Sequence, residues 1–166
     1  MTITKGSKVD PTYSFQYIDA KSKEPASIST AELEKGLYVL VGVPAAFSPP
    51  CSEQHLPSYI ANVDTFAERG AKILVIDTDN LFANRAWSKS FNVDDKQDKI
   101  LFVSDVGGKY LKSIGLTTNE VGPLGEVSAR FAAVVKDGVF FYVGKEESVG
   151  FVDASSAEKL LAEYIK

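Results

Sequence analysis

The sequence predicts an α/β fold, with a mixed central sheet and helices on both faces. Three observations lead there. Apolar runs of strand length, such as Leu37-Tyr38-Val39-Leu40-Val41-Gly42-Val43 and Ile73-Leu74-Val75-Ile76, alternate with stretches whose apolar residues recur at helical spacing. Those runs lack a polar face, as strands covered on both sides do. Near the C-terminus, two further runs meet across Asp137-Gly138, the dipeptide of a tight hairpin, which adds an antiparallel edge.

The elements follow in order. Residues 1–12 read as an irregular lead-in, and 13–18 alternate as a half-buried strand before a polar turn through 19–25. Ser29 and Glu32 are spaced as a capping box for a short helix that Gly36 ends. After the strand over 37–43, a helix carries Leu56, Tyr59, Ile60, Val63 and Ala67 on one stripe until Gly70. Pro57 should clash with the carbonyl of Glu53, so a kink is expected just past the first turn.

Beyond the strand over 73–76, Asp79 or Asn80 caps a helix bearing Phe82, Ala86, Trp87 and Phe91. A third strand covers 100–103, and a short helix covers 109–114. Residues 117–127 form a loop, and strands over 129–135 and 139–143 make the hairpin. A last helix starts near Asp153 or Ser155, with Ser155 and Glu158 as a second capping box. A βαβ unit followed by ββα is the thioredoxin-like arrangement, and it places the crevice at the carboxyl ends of the parallel strands. The 166 residues are read as one domain over 1–166.

Composition excludes several functions. The net charge of −4 comes without a basic run, so neither nucleic acid nor an anionic membrane is expected as a partner. No apolar run approaches the roughly 20 residues that span a bilayer. The first residues lack a secretory or transit pattern and the last do not end in Ser-Lys-Leu, which makes the cytoplasm the expected compartment. One cysteine builds no disulfide framework and fits a reducing environment. There is no G-x-G-x-x-G, no phosphate loop and no zinc-ligand cluster, so neither cofactor nor metal is expected.

Chemistry concentrates between Pro44 and Pro57, which hold the only cysteine and the only histidine at a strand–helix junction. A cysteine at a helix start faces free N–H groups and the positive end of the dipole, which favour thiolate. The bland alternative is a small buried hydrophobe. Arg130 interrupts an apolar run that reads as a central strand, so its guanidinium needs an anion. That anion is either one of the 22 acidic residues or a thiolate. Ser48 is either a turn residue or a donor to sulfur or substrate. His55 is a base or a structural hydrogen-bonder, and Phe47 and Leu116 are candidates for an apolar mouth.

The pattern Pro44-x-x-x-Ser48-x-x-Cys51 with a distant Arg130 resembles the peroxiredoxin active site, Pro-x-x-x-Thr/Ser-x-x-Cys plus Arg. Pro44-Ala45-Ala46-Phe47-Ser48-Pro49 and His55-Leu56-Pro57-x-Tyr59 are similar to the atypical type II, peroxiredoxin-5-like branch. Asn84-Arg85-Ala86-Trp87, Ser104-Asp105 and Lys112-Ser113-Ile114-Gly115 extend the likeness toward fungal alkyl hydroperoxide reductases, over residues 37–166. The resemblance implies a thioredoxin-like fold and reduction of hydrogen peroxide and alkyl hydroperoxides. It makes Cys51 the peroxidatic cysteine, shielded by Pro44. Ser48 would align the peroxide, and Arg130 would stabilise thiolate and transition state. It further implies a homodimer joined through loops beside the site.

This chain departs from the pattern in three ways. Ser48 stands where Thr is commoner, and Pro50 removes an N–H just before Cys51. A resolving cysteine is missing altogether. An external thiol such as glutathione, glutaredoxin or thioredoxin would then have to close the cycle. A redox sensor that is oxidised without turnover is the competing reading.

Overall fold

The computed structural model describes residues 2–166. Seven strands form one sheet: β1 (Ser14–Ile18), β2 (Pro25–Ser29), β3 (Leu37–Gly42), β4 (Ala71–Asp77), β5 (Ile100–Ser104), β8 (Phe131–Lys136) and β9 (Val139–Lys145), in the order β2-β1-β5-β4-β3-β8-β9. β6 (Thr117–Thr118) and β7 (Val127–Ser128) make a separate two-stranded ladder within the stretch expected to be a loop. β3, β4 and β5 run parallel, while β8 and β1 pair antiparallel to them on either side. This is the thioredoxin-like mixed sheet that the element order predicts.

Side-chain alternation divides the core between the two faces of the sheet. Val39, Val41, Ile73 and Val75 point to one face, covered by Tyr59, Phe66, Trp87 and Leu160. Leu40, Leu74 and Ile76 point to the other, covered by Leu33, Tyr110 and Leu111. Helices therefore lie on both faces: α1 (Leu56–Ala61), α2 (Val63–Glu68), α3 (Leu81–Ser90) and α5 (Ala157–Glu163) on the first, α4 (Lys109–Ser113) on the second. The β8–β9 turn has Asp137 at φ 49° and Gly138 at φ 82°, the positive-φ pair of a type I′ hairpin.

Four local expectations are corrected. The polar turn after β1 leads into β2, which pairs with β1 in register and is exposed on alternate residues, so it carries no apolar signature. The helix at 30–34 is a 3₁₀ turn capped by Ser29. The break expected just past the first turn takes another form. The distortion sits ahead of Pro57, in a π turn over Pro50–His55, and again at Asn62 (φ −107°, ψ 12°) between α1 and α2. Pro57 falls in the first turn of α1, where a missing N–H costs little. The cap of α5 is Ser156, which accepts from the Lys159 N–H, and not Ser155.

Candidate active site

β3, β4 and β5 end on the same rim, and the loop after β3 carries the sequence motif. Pro44 is buried. The Ala46 N–H donates to Asp79 Oδ2 across 2.7 Å, tying this loop to the one that follows β4. Phe47 adopts a left-handed φ of 63° and lies exposed above Trp87. Ser48 Oγ donates to the Ala45 carbonyl at 3.0 Å, and the Ser48 carbonyl accepts from the Ser52 N–H at 2.9 Å, which winds the chain into the π turn. Trp87 Nε1 donates to Ser52 Oγ at 3.0 Å and so fastens that turn to α3.

Cys51 is 0% exposed and packs among the first face's core residues. It is not merely a buried hydrophobe, because Arg130 Nη2 lies 3.1 Å from its Sγ. Arg130 itself is 2% exposed. Its Nε donates to the Val149 carbonyl at 2.6 Å, and Nη1 lies 2.9 Å from His55 Nδ1. No carboxylate pairs with Arg130 among the described residues, so the ion-pair alternative fails. A buried cation without an anion is costly, and of the described groups that hydrogen-bond the Arg130 guanidinium only the Cys51 sulfur can become one.

Arg130 is not inside a strand, as the apolar run suggested. It occupies the bend between β7 and β8. Phe131, the first residue of β8, pairs with Gly42, the last of β3. Antiparallel pairing thus brings the start of β8 to the end of β3, where Cys51 follows.

His55 is held at both ring nitrogens. A guanidinium only donates, so Nδ1 is the acceptor, and Nε2 must carry the proton given to the Ser155 carbonyl at 2.9 Å. Burial, followed by the charge of Arg130, lowers its pKa from 6.5 to about 4. With its one lone pair committed to Arg130, His55 is a structural hydrogen-bonder and not a base. Leu116, read as part of a mouth, is instead buried on the other face of the sheet.

Sequence reasoning overlooked Val149 and read Ser155 only as a helix cap. Both act through backbone carbonyls, which leave no mark in residue type. It also overlooked Glu146, whose carboxylate accepts from the Asp153 N–H (2.6 Å), the Ser155 N–H (2.9 Å) and the Ser155 hydroxyl (2.6 Å).

The Redoxin family profile matches residues 4–161, nearly the whole chain. Peroxisomal membrane associated protein 20 of Schizosaccharomyces pombe is 42% identical over 130 residues, covering 77% of this chain and 82% of that one. Peroxiredoxin AHP1 of Chaetomium thermophilum is 35% identical over 130 residues, covering 78% and 71%. This chain belongs to the peroxiredoxins. Among solved structures, reduced Prx3 of Vibrio vulnificus in complex with H2O2 superposes on this peroxiredoxin with a TM-score of 0.84 at 27% identity, covering 97% of this chain and 95% of that one. Membership makes it a thiol-dependent oxidoreductase acting on peroxides, and the fungal relatives agree with the atypical type II assignment.

Proposed function

We propose that this peroxiredoxin is a one-cysteine peroxidase in which Cys51 attacks hydrogen peroxide and alkyl hydroperoxides and Arg130 balances the charge. The observation that carries this reading is the buried guanidinium that meets no carboxylate among the described residues and lies 3.1 Å from the chain's only sulfhydryl. The Cys51 thiolate forms an S–O bond to one peroxide oxygen as the O–O bond breaks. The second oxygen departs with a proton as water or alcohol, and its developing charge faces Arg130. Ser48 spends its proton on Ala45, which leaves its oxygen lone pairs to accept from the incoming O–H. Pro44, buried beside the loop, keeps water from the sulfur.

Cys51 is left as sulfenic acid. With no second cysteine in the chain, an external thiol condenses with it, releasing water and forming a mixed disulfide. A second thiol then frees Cys51 and leaves with the first as a disulfide. Glutathione, glutaredoxin and thioredoxin all meet this need. The chain is a single domain over 1–166, and we assign it to the cytoplasm. No described helix is long and apolar enough to cross a membrane. The S. pombe relative is named as peroxisomal, so fractionation of cells decides between the two compartments.

Rapid mixing with peroxide tests the chemistry, with fluorescence of Trp87, the only tryptophan, as the signal. The parent protein should react orders of magnitude faster than a free thiol and gain one oxygen by mass. Cys51→Ser should be silent and Arg130→Ala slower by at least 100-fold. A parent rate equal to that of a free thiol would overturn the reading. The lone cysteine also suits a sensor that is oxidised once. Sustained peroxide consumption with any of the three reductants rules that out.

A further inference from the structure

Glu146 directly follows β9 and Arg130 directly precedes β8. Phe131 and Lys145 are the last pair of the ladder, and one residue beyond it the Glu146 N–H donates to the Arg130 carbonyl at 2.9 Å. A buried carboxylate and a buried guanidinium placed this way would ordinarily form an ion pair. Here they do not. Oε2 of Glu146 instead gathers the Asp153 N–H, the Ser155 N–H and the Ser155 hydroxyl. Burial opposes the charge of this carboxylate, but the Ser155 hydroxyl and the backbone N–H groups of 153–155 outweigh it and hold its pKa below the usual range.

Those bonds fix the Ser155 carbonyl, which accepts from both His55 Nε2 and Tyr59 Oη (2.7 Å). Fixing that carbonyl fixes the His55 tautomer, and the tautomer presents the Nδ1 lone pair to Arg130 Nη1. The chain of contacts therefore runs Glu146, Ser155, His55, Arg130, Cys51, with every donor and acceptor assigned.

We propose that Glu146 is a positioning residue for the peroxidase reaction, orienting the Arg130 guanidinium toward Cys51 through Ser155 and the His55 tautomer. The proposal rests on Cys51 and Arg130 acting as described above. Glu146 touches no reacting atom. Its negative charge is spent on the 153–155 turn, which leaves the whole charge of Arg130 for the sulfur. Its effect on the reaction passes through geometry.

The test uses the whole 166-residue chain and its single histidine, whose ring nitrogens give an unmixed NMR signature. In the parent, His55 should appear as the Nε2–H tautomer alone, with slow exchange of that proton. In Glu146→Gln, the tautomer should become mixed or the proton exchange faster, and oxidation of Cys51 by hydrogen peroxide should slow by 10- to 100-fold. Circular dichroism should report the same secondary structure. Glu146→Asp, which keeps the charge on a shorter arm, should recover part of the rate and of the tautomer signature.

Adding His55→Asn to Glu146→Gln should slow the reaction no further than His55→Asn alone, since both act on one path. Additive losses would overturn the proposal. So would a Glu146→Gln protein within twofold of the parent rate, or one that is slow with an unchanged His55 signature. If the parent itself reacts no faster than a free thiol, the peroxidase reading fails first. A fast parent with an indifferent Glu146 removes only this inference.

Discussion

His55 shows how a residue with catalytic chemistry is put to structural use. Its imidazole is buried between an obligate donor, Arg130, and an obligate acceptor, the Ser155 carbonyl, and only one neutral tautomer satisfies both. The pKa falls from 6.5 to about 4, so the unfolded chain takes up a proton that the folded one refuses. Stability from this group is whole above pH 6.5 and is lost as pH falls toward 4. Asp77, driven well above 3.8 by burial, slopes the other way over part of this range. The difference between the parent and His55→Asn is therefore the quantity to read. Urea unfolding should show the parent's advantage shrinking by about 3 kcal/mol between pH 7 and pH 4, at about 1.4 kcal/mol per pKa unit. An advantage independent of pH would disprove the tautomer assignment. Cys51 and Arg130 were legible because a lone thiol at a helix start and a cation in an apolar run are chemical oddities. Val149 and Ser155 were not, since a carbonyl belongs to every residue.

At the level of elements, the hairpin was plain from Asp137-Gly138, yet its register was not. Counting back evenly from that turn would set Arg130 opposite Lys145, two like charges across the ladder. An irregularity between Val134 and Val135 shifts the pairing by one residue and places Glu146 there instead. Nothing in the apolar run around Val134 advertises that bulge. β2 escaped notice for a related reason, because a strand exposed on alternate residues at the sheet edge has no apolar period to read. The junction of β3 and β8 is tight: a Cβ on Gly42 would sit 1.9 Å from the Phe131 ring. Phe131 is fully buried and adjoins Arg130, so it has no room to yield. Gly42→Ala should cost about 1–3 kcal/mol in urea unfolding and slow Cys51 oxidation together with it. A variant as stable and as fast as the parent would show that the ring can move.

Across the whole molecule, the parallel strands gather exposed apolar residues on one rim. Phe47 follows β3, Phe82 opens the helix after β4, and Val106 follows β5; all three are exposed. Large apolar groups clustered beside a site are a surface that a second copy can cover. The homodimer that the resemblance implies would therefore be expected to use this rim. Sedimentation should give a dimer at micromolar concentration, and Phe82→Asp should move it to monomer. A parent protein that sediments as a monomer would remove the dimer altogether. The overall architecture was legible because strand–helix alternation leaves few ways to fold. The site was legible only in part, because its members come from distant segments. Arg130 follows Cys51 by 79 positions, and Ser155 follows His55 by 100. At the roughly 5–20 residues per second of synthesis, the thiol leaves the ribosome seconds before the guanidinium exists. During that interval the nascent chain carries an ordinary cysteine. If Arg130 activates Cys51 as proposed, reactivity should arrive only with the closing strands, late in the life of the nascent chain.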